Sequence, residues 1–396
     1  MALAHPITEP HVLAVPPVLV AVLAAFLVLV ISLTWPERQR DRAPESPDPE
    51  TSSWAGSLSR SQIAARIVTV VALFVTIAAG RGGVDDELEN LAPALVVGAA
   101  WPVLVLASVS LGPVWRWTDP WDGVARGVSR GEQVEQPHHV WPAVVVVIPW
   151  VWYLSAYRDP LDPRSVGTLL ALYTVFTVAG ALAVGRVRWL ASAEPFGIVL
   201  SWMSRLPRRR LAEWHPPVGA EALLGVLAGG VLFGPVRRSE LWSGPNSTDA
   251  ASAYAVLGLV LSCAVVAGFL MAMGRAAGGL GSRAGVARAA VPAVAAIIVA
   301  VAMGRNRLSN SVQLLPGLLG DPFGEGWDLF GAAGAGPALA PLGTTALLIS
   351  QLVVLLVGHL AGAVVLARRV APDARLPAAT AVALLATYSV VAVGAH

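Results

Sequence analysis

Few side chains in this 396-residue chain are of a type and position to do chemistry, and they fall into four groups. His359 stands in Gly-His-Leu-Ala-Gly (358–362) with Gln351 two helical turns earlier, inside a long apolar run. An ionisable side chain in such a run acts as a proton relay, a ligand or a substrate contact. The alternative is a neutral imidazole in an interhelical hydrogen bond, for which Glu221 is a partner the sequence offers. In the segment from Asp321 to Gly331, the carboxylates of Asp321, Glu325 and Asp328 are interleaved with apolar residues and with glycines that permit sharp turns. Carboxylates held against an apolar surface need partners, either a hard divalent cation bound through oxygen or the guanidinium groups of Arg305 and Arg307; the alternative is solvated loop charges beside a Trp anchor. The third group is Trp115-Arg116-Trp117-Thr118-Asp119-Pro120-Trp121-Asp122. Three Trp beside an Arg make an interfacial anchor, with Asp119-Pro120 opening a turn. The other reading makes Asp119 and Asp122 ligands or gating carboxylates. His5, His11 and His396 are weak candidates for a zinc- or copper-type site, because imidazole suits both metals but no spacing supports a shared one.

Several chemistries are missing from the sequence. The lone cysteine, Cys263, excludes an internal disulfide and a cysteine metal site. No serine elbow, paired-histidine metal motif or phosphate-cradling glycine loop is present.

The elements that must carry these residues follow from composition. The chain is 56% hydrophobic and 13% charged, with mean hydropathy +0.66. Soluble domains have roughly 45–50% apolar and 25% charged residues. A soluble enzyme, a disordered chain and a nucleic-acid binder are thereby excluded. The sequence describes an all-α polytopic bundle in a bilayer, with residues 1–396 as a single integral membrane domain. Apolar runs long enough to cross occur at about 15–35, 63–80, 92–114, 140–157, 165–187, 218–236, 252–274, 286–303, 344–367 and 376–394.

All 27 basic residues are Arg. With the N-terminus outside, ten spans place only Arg81, Arg158, Arg164, Arg237, Arg238, Arg305 and Arg307 on the outer side, the asymmetry expected of a cytoplasmic membrane protein. Both termini are then outside. Residues 36–60 read as a disordered inner loop. Residues 304–343 read as an outer loop, re-entrant or interfacial because much of it is apolar. Met1-Ala-Leu-Ala4 resembles the small-residue end of a signal peptide, which would make His5 a mature N-terminus; a short outer tail is the alternative.

Several segments together resemble a known family. Asn90-Leu-Ala-Pro-Ala94, Ser110 through Trp121, Trp141-Pro-Ala143, Asp159 through Arg164, Glu194-Pro-Phe-Gly197 and Asp321 through Gly331 are similar, in matching order over about residues 85–370, to bacterial polytopic membrane proteins of the fenitrothion (organophosphate) hydrolase family. That family often carries Asn-Pro-Trp-Arg where this chain has Asp119-Pro-Trp-Asp122. The resemblance implies hydrolysis of lipophilic phosphotriesters in the bacterial cytoplasmic membrane, and no catalytic residue transfers with it. Such chemistry at neutral pH calls for a divalent metal holding hydroxide. The residue types also allow a transporter or permease-like bundle, with His359, Gln351 and Glu221 along the path. A third reading is a component that docks another membrane or secreted protein.

Overall fold

The structure, a computed structural model, describes residues 17–34, 58–128, 139–207, 211, 214–242, 248–276, 280–332, 341–368 and 375–395. Among them the regular structure is helical, apart from one isolated bridge between His139 and Val218. In chain order the helices are α1 (Pro17–Thr34), α2 (Arg60–Gly82), a π-helical stretch (Pro93–Ala100) running into α3 (Trp101–Leu111), α4 (Trp115–Thr118) and α5 (Pro120–Val128). There follow α6 (Trp141–Ser155), α7 (Pro163–Val184), α8 (Arg186–Ser192), α9 (Pro195–Met203), α10 (Ala220–Arg238) and α11 (Thr248–Ala276). The chain ends with α12 (Leu280–Met303), α13 (Arg307–Gly320), α14 (Thr344–Ala367) and α15 (Arg375–Gly394).

Nine helical segments among the described residues are long and apolar enough to cross a membrane. The protein is therefore an all-α membrane bundle. The span expected at 140–157 is the shorter helix α6, 15 residues with Pro149 inside it. Most of the expected inner loop 36–60 lies outside the described residues. In the segment expected as an outer loop, residues 307–320 are helical and pack on the π-helical stretch, where Ser311 sits against Gly98.

Burial divides the bundle into a centre and a rim. Of the most apolar stretch, 78% is buried in α10 and 83% in α12–α13, against 22% in α1 and 28% in α2 and α11. The rim helices turn large apolar side chains outward, including Leu23 and Phe26 on α1, Phe74 on α2 and Leu257 and Leu261 on α11. So large an apolar surface is stable only against lipid. Close packing at the centre depends on small residues. A Cβ on Gly358 would lie 2.7 Å from Pro292 O, and one on Gly362 would lie 2.5 Å from Ala289 O, so α14 rests on the backbone of α12. Gly225 and Gly229 serve α10 against α11 at Ala267 and Ser262 in the same way.

Candidate functional site

Two acid–proline steps build the site, and both are helix starts. Chain reversal after α3 uses Gly112, at φ +103, a conformation open to glycine. The four-residue α4 then delivers Asp119, whose Oδ1 accepts hydrogen bonds from the backbone N–H of Trp121 and Asp122, each 3.0 Å. Proline at the next position has no N–H to satisfy and a φ suited to a first helical turn, so Asp119-Pro120 starts α5. Glu194-Pro195 repeats the device at α9: Glu194 accepts from Phe196 N (3.1 Å) and Gly197 N (2.5 Å). Both caps are fully buried, and both lie outside the spans.

The first turn of α5 turns Asp122 inward, also fully buried. It is ion-paired with Arg66 of α2, with Arg186 at the start of α8, and with Arg126 one turn on at 3.0 Å. Arg66 also donates to Arg116 O (2.8 Å). One carboxylate thus ties α2, α5 and α8 together. Beside it, the Tyr173 hydroxyl of α7 donates to Glu194 Oε1 at 2.6 Å. Burial pushes the Asp119 carboxyl up to about 7 against the pull of Arg66. Glu194 rises to about 8, through burial and then through the charge of Asp119. Both carboxyls therefore hold a proton more tightly than an exposed carboxyl does.

Over these carboxylates stand six aromatic rings. Phe196 lies at their centre, stacked on Trp121 (5.7 Å between centroids, 21°) and meeting Trp101, Trp150 and Tyr173 edge-on at 4.5, 5.1 and 5.3 Å. Trp115 packs on the far side of Trp121 at 5.7 Å. The rings other than Tyr173, with Thr69 and Leu73 of α2, Val96 and Leu104, and Leu227 and Val231 of α10, wall a cavity of about 290 Å³. Its polar lining is sparse. The Thr69, Thr76 and Thr118 hydroxyls donate to carbonyls of their own helices. The Trp121 indole donates to Thr174 Oγ1 (3.2 Å). The indole N–H of Trp150 is buried without a hydrogen-bond acceptor, whereas the Trp115 indole is directed to the Asp119 carboxylate.

The tryptophan motif thus splits. Arg116 and Trp117 are exposed, as an anchor requires, whereas Trp115, Asp119, Trp121 and Asp122 turn inward and form the site. Sequence reasoning placed Arg66, Arg126 and Arg186 only as topological charges and did not assign Tyr173, Glu194, Phe196, Trp101 or Trp150 to a site. The available signal was weak: Asp119-Pro120 and Glu194-Pro195 are two of seven acid–proline pairs in the chain.

The other expected residues do not join this site. His359 is buried, with Nδ1 on Leu355 O (2.7 Å) and Nε2 without a partner. Gln351 donates to Ala300 O (2.8 Å), while Glu221 lies half-buried within electrostatic reach of Arg275 and Arg283. No hydrogen bond links the three among the described residues. Asp321 accepts from Glu325 N (3.0 Å) and Gly326 N (2.7 Å), and Asp328 accepts from Ala332 N (2.7 Å), so their loop's own backbone supplies partners. Glu325 is exposed. Among the described residues no three His, Cys, Asp or Glu gather as a metal would require. His5, His11 and His396 lie outside the described residues. No protein-family model, curated protein or solved structure matches the chain.

Proposed function

We propose that this membrane protein is permease-like and takes a lipophilic small molecule with a hydrogen-bond-accepting oxygen into the aromatic cavity. The observation that carries the reading is the cavity itself: about 290 Å³, walled by apolar and aromatic side chains, with an unpaired indole donor on Trp150. Ligand sites are mostly apolar concavities with a few polar groups that fix orientation, and this volume is near their lower end. Buried polar groups are nearly always hydrogen-bonded, so the unpaired Trp150 indole in the cavity wall favours a ligand that accepts from it. The π-helical stretch, which contributes Leu95, Val96 and Ala100 to the wall, favours a working site as well. Lipophilic phosphotriesters, the substrate class implied by the family resemblance, have the required character: an apolar body and an accepting oxygen.

Binding is tested by titrating the purified chain with fenitrothion, whose nitroaromatic ring quenches tryptophan fluorescence, beside an alkane of similar size. The expected result is saturable quenching in the wild type. In Ala100→Phe and Val231→Phe, which fill the cavity, affinity falls at least tenfold while the unfolding temperature changes little. Non-saturating quenching, or full affinity in both filled variants, overturns the reading. Flux of the same compound across proteoliposomes, absent from protein-free vesicles and from the filled variants, tests the transport step.

A further inference from the structure

We propose that Arg238, Arg305 and Arg307 form a phosphate-binding site at the end of the bundle opposite Asp122, taking either the phosphate of an anionic lipid or a free phosphate ion. The inference is independent of the cavity's ligand. The three arginines come from the last turn of α10, the break between α12 and α13, and the first turn of α13. They border one small pit together with Gln351, Pro235 and Val393.

Three of the other arginines at this end of the bundle find protein partners. Arg81 donates to Thr168 Oγ1 (2.6 Å), Arg164 pairs with Asp85 (3.5 Å), and Arg237 donates to Tyr157 O (3.1 Å). Among the described residues, the side chains of Arg238, Arg305 and Arg307 have neither a hydrogen bond nor an ion pair. Glu87 is the carboxylate whose charge reaches Arg307, and it forms no ion pair there. The three guanidinium groups are close enough to repel one another. Without a counter-charge, that arrangement is unfavourable.

The backbone is distorted to produce it. Residues two apart on a continuous helix point to different sides, so Arg305 and Arg307 could not share a pit there. Here Arg305 (φ 55°, ψ 30°) and Asn306 (φ 56°, ψ 19°) are both left-handed. That conformation is uncommon for any residue but glycine, and for arginine it costs energy. A two-pronged clasp holds it: Asn306 Nδ2 donates to Leu342 O (2.9 Å), and Leu342 N donates to Asn306 Oδ1 (3.3 Å).

Helix dipoles do not explain the cluster. Positive charge is favourable at the C-terminal ends of α10 and α12, which accounts for Arg238 and Arg305. Arg307 begins α13, where the dipole opposes it. Seating an oxyanion accounts for all three. The pit encloses only about 10 Å³, space for one oxygen. A tetrahedral anion can place one oxygen there and present the others to guanidinium groups arriving from three elements, whereas a planar carboxylate is suited to one forked arginine.

The test uses the full chain in a phosphate-free maltoside detergent, with unfolding temperature read at constant ionic strength set by chloride. The two probes are inorganic phosphate and dihexanoyl phosphatidic acid. The expected result is a saturable rise in the wild type and in Arg158→Gln, whose exposed arginine lies outside the pit. In Arg238→Gln and Arg305→Gly, the apparent affinity falls roughly tenfold to a hundredfold. Arg305→Gly should fold well, because glycine suits the left-handed conformation, and this separates lost binding from lost structure. A response to inorganic phosphate identifies a free-anion site; a response to the lipid alone identifies a headgroup site. No response to either probe, or a response that survives in either variant, overturns the proposal.

Discussion

Arginines gather at both ends of this bundle, with opposite electrostatic outcomes. At one end Arg66, Arg126 and Arg186 surround a single buried carboxylate, Asp122, within a network that also holds Asp119 and Glu194. At the other, Arg238, Arg305 and Arg307 share a pit with no carboxylate in ion-pair contact among the described residues. The first group joins α2, α5 and α8 beneath the aromatic cavity, so its charges serve the fold. The second is partly open to the surroundings, its strained backbone is held by the Asn306–Leu342 clasp, and no ion pair within the described residues offsets the repulsion of its charges. Residue type alone does not separate a structural arginine from a ligand-binding one. Whether the chain supplies the counter-charge does.

The largest effect should come from breaking the satisfied end. Asp122→Asn leaves buried guanidinium groups uncompensated and should destabilise the protein by about 3–5 kcal/mol, measured as thermal or denaturant unfolding in detergent. Adding Arg186→Gln should recover part of that loss, whereas adding Arg305→Gly should not. A smaller effect is the pH dependence. Glu194 and Asp119 are held above the ordinary carboxylate range, so the folded state binds their protons more tightly than the unfolded chain does. Their contribution is fully present below about pH 4 and is lost as pH rises through about 7 and 8, at up to about 1.4 kcal/mol per pH unit for each group. Unfolding temperature measured across that interval should fall less steeply in Glu194→Gln, while Arg305→Gly should keep the wild-type slope. The smallest effects belong to the open end without phosphate. Arg305→Gly should raise stability by about 1 kcal/mol as left-handed strain is relieved, and Arg238→Gln should change it by no more than about 0.5 kcal/mol. A large loss in either would erase the contrast between the ends.

The fold was more legible than the site. Uninterrupted apolar runs mark the long helices, because lipid requires apolar side chains and helices satisfy every backbone group internally. The helices between spans, α4, α5, α8 and α9, carry no such signal; α5 and α9 start at local caps, and Asp119-Pro120 and Glu194-Pro195 are visible as residue pairs, but their burial is not. Tryptophans flanked by arginine ordinarily lie at a membrane interface, a rule Trp117 follows and Trp115 and Trp121 do not. Arg66 and Arg186 are 120 positions apart in the chain and meet only because α2 and α7 are neighbours, a tertiary fact absent from any local pattern. His359 attracts attention by its depth, yet the contact that holds it is a carbonyl of its own helix.

Helix α6 has a consequence for the membrane as well as for the protein. At 1.5 Å per residue its 15 residues reach about 22 Å, short of a hydrocarbon layer about 30 Å thick. Val145, Ile148 and Trp152 are exposed on its outer surface, while Val147, Trp150 and Val151 wall the cavity. Lipids meeting that surface must draw together, creating a local dimple whose elastic cost depends on acyl-chain length. Bilayer thickness thereby becomes a mechanical load on one wall of the cavity, and membranes of shorter lipids should relax that wall.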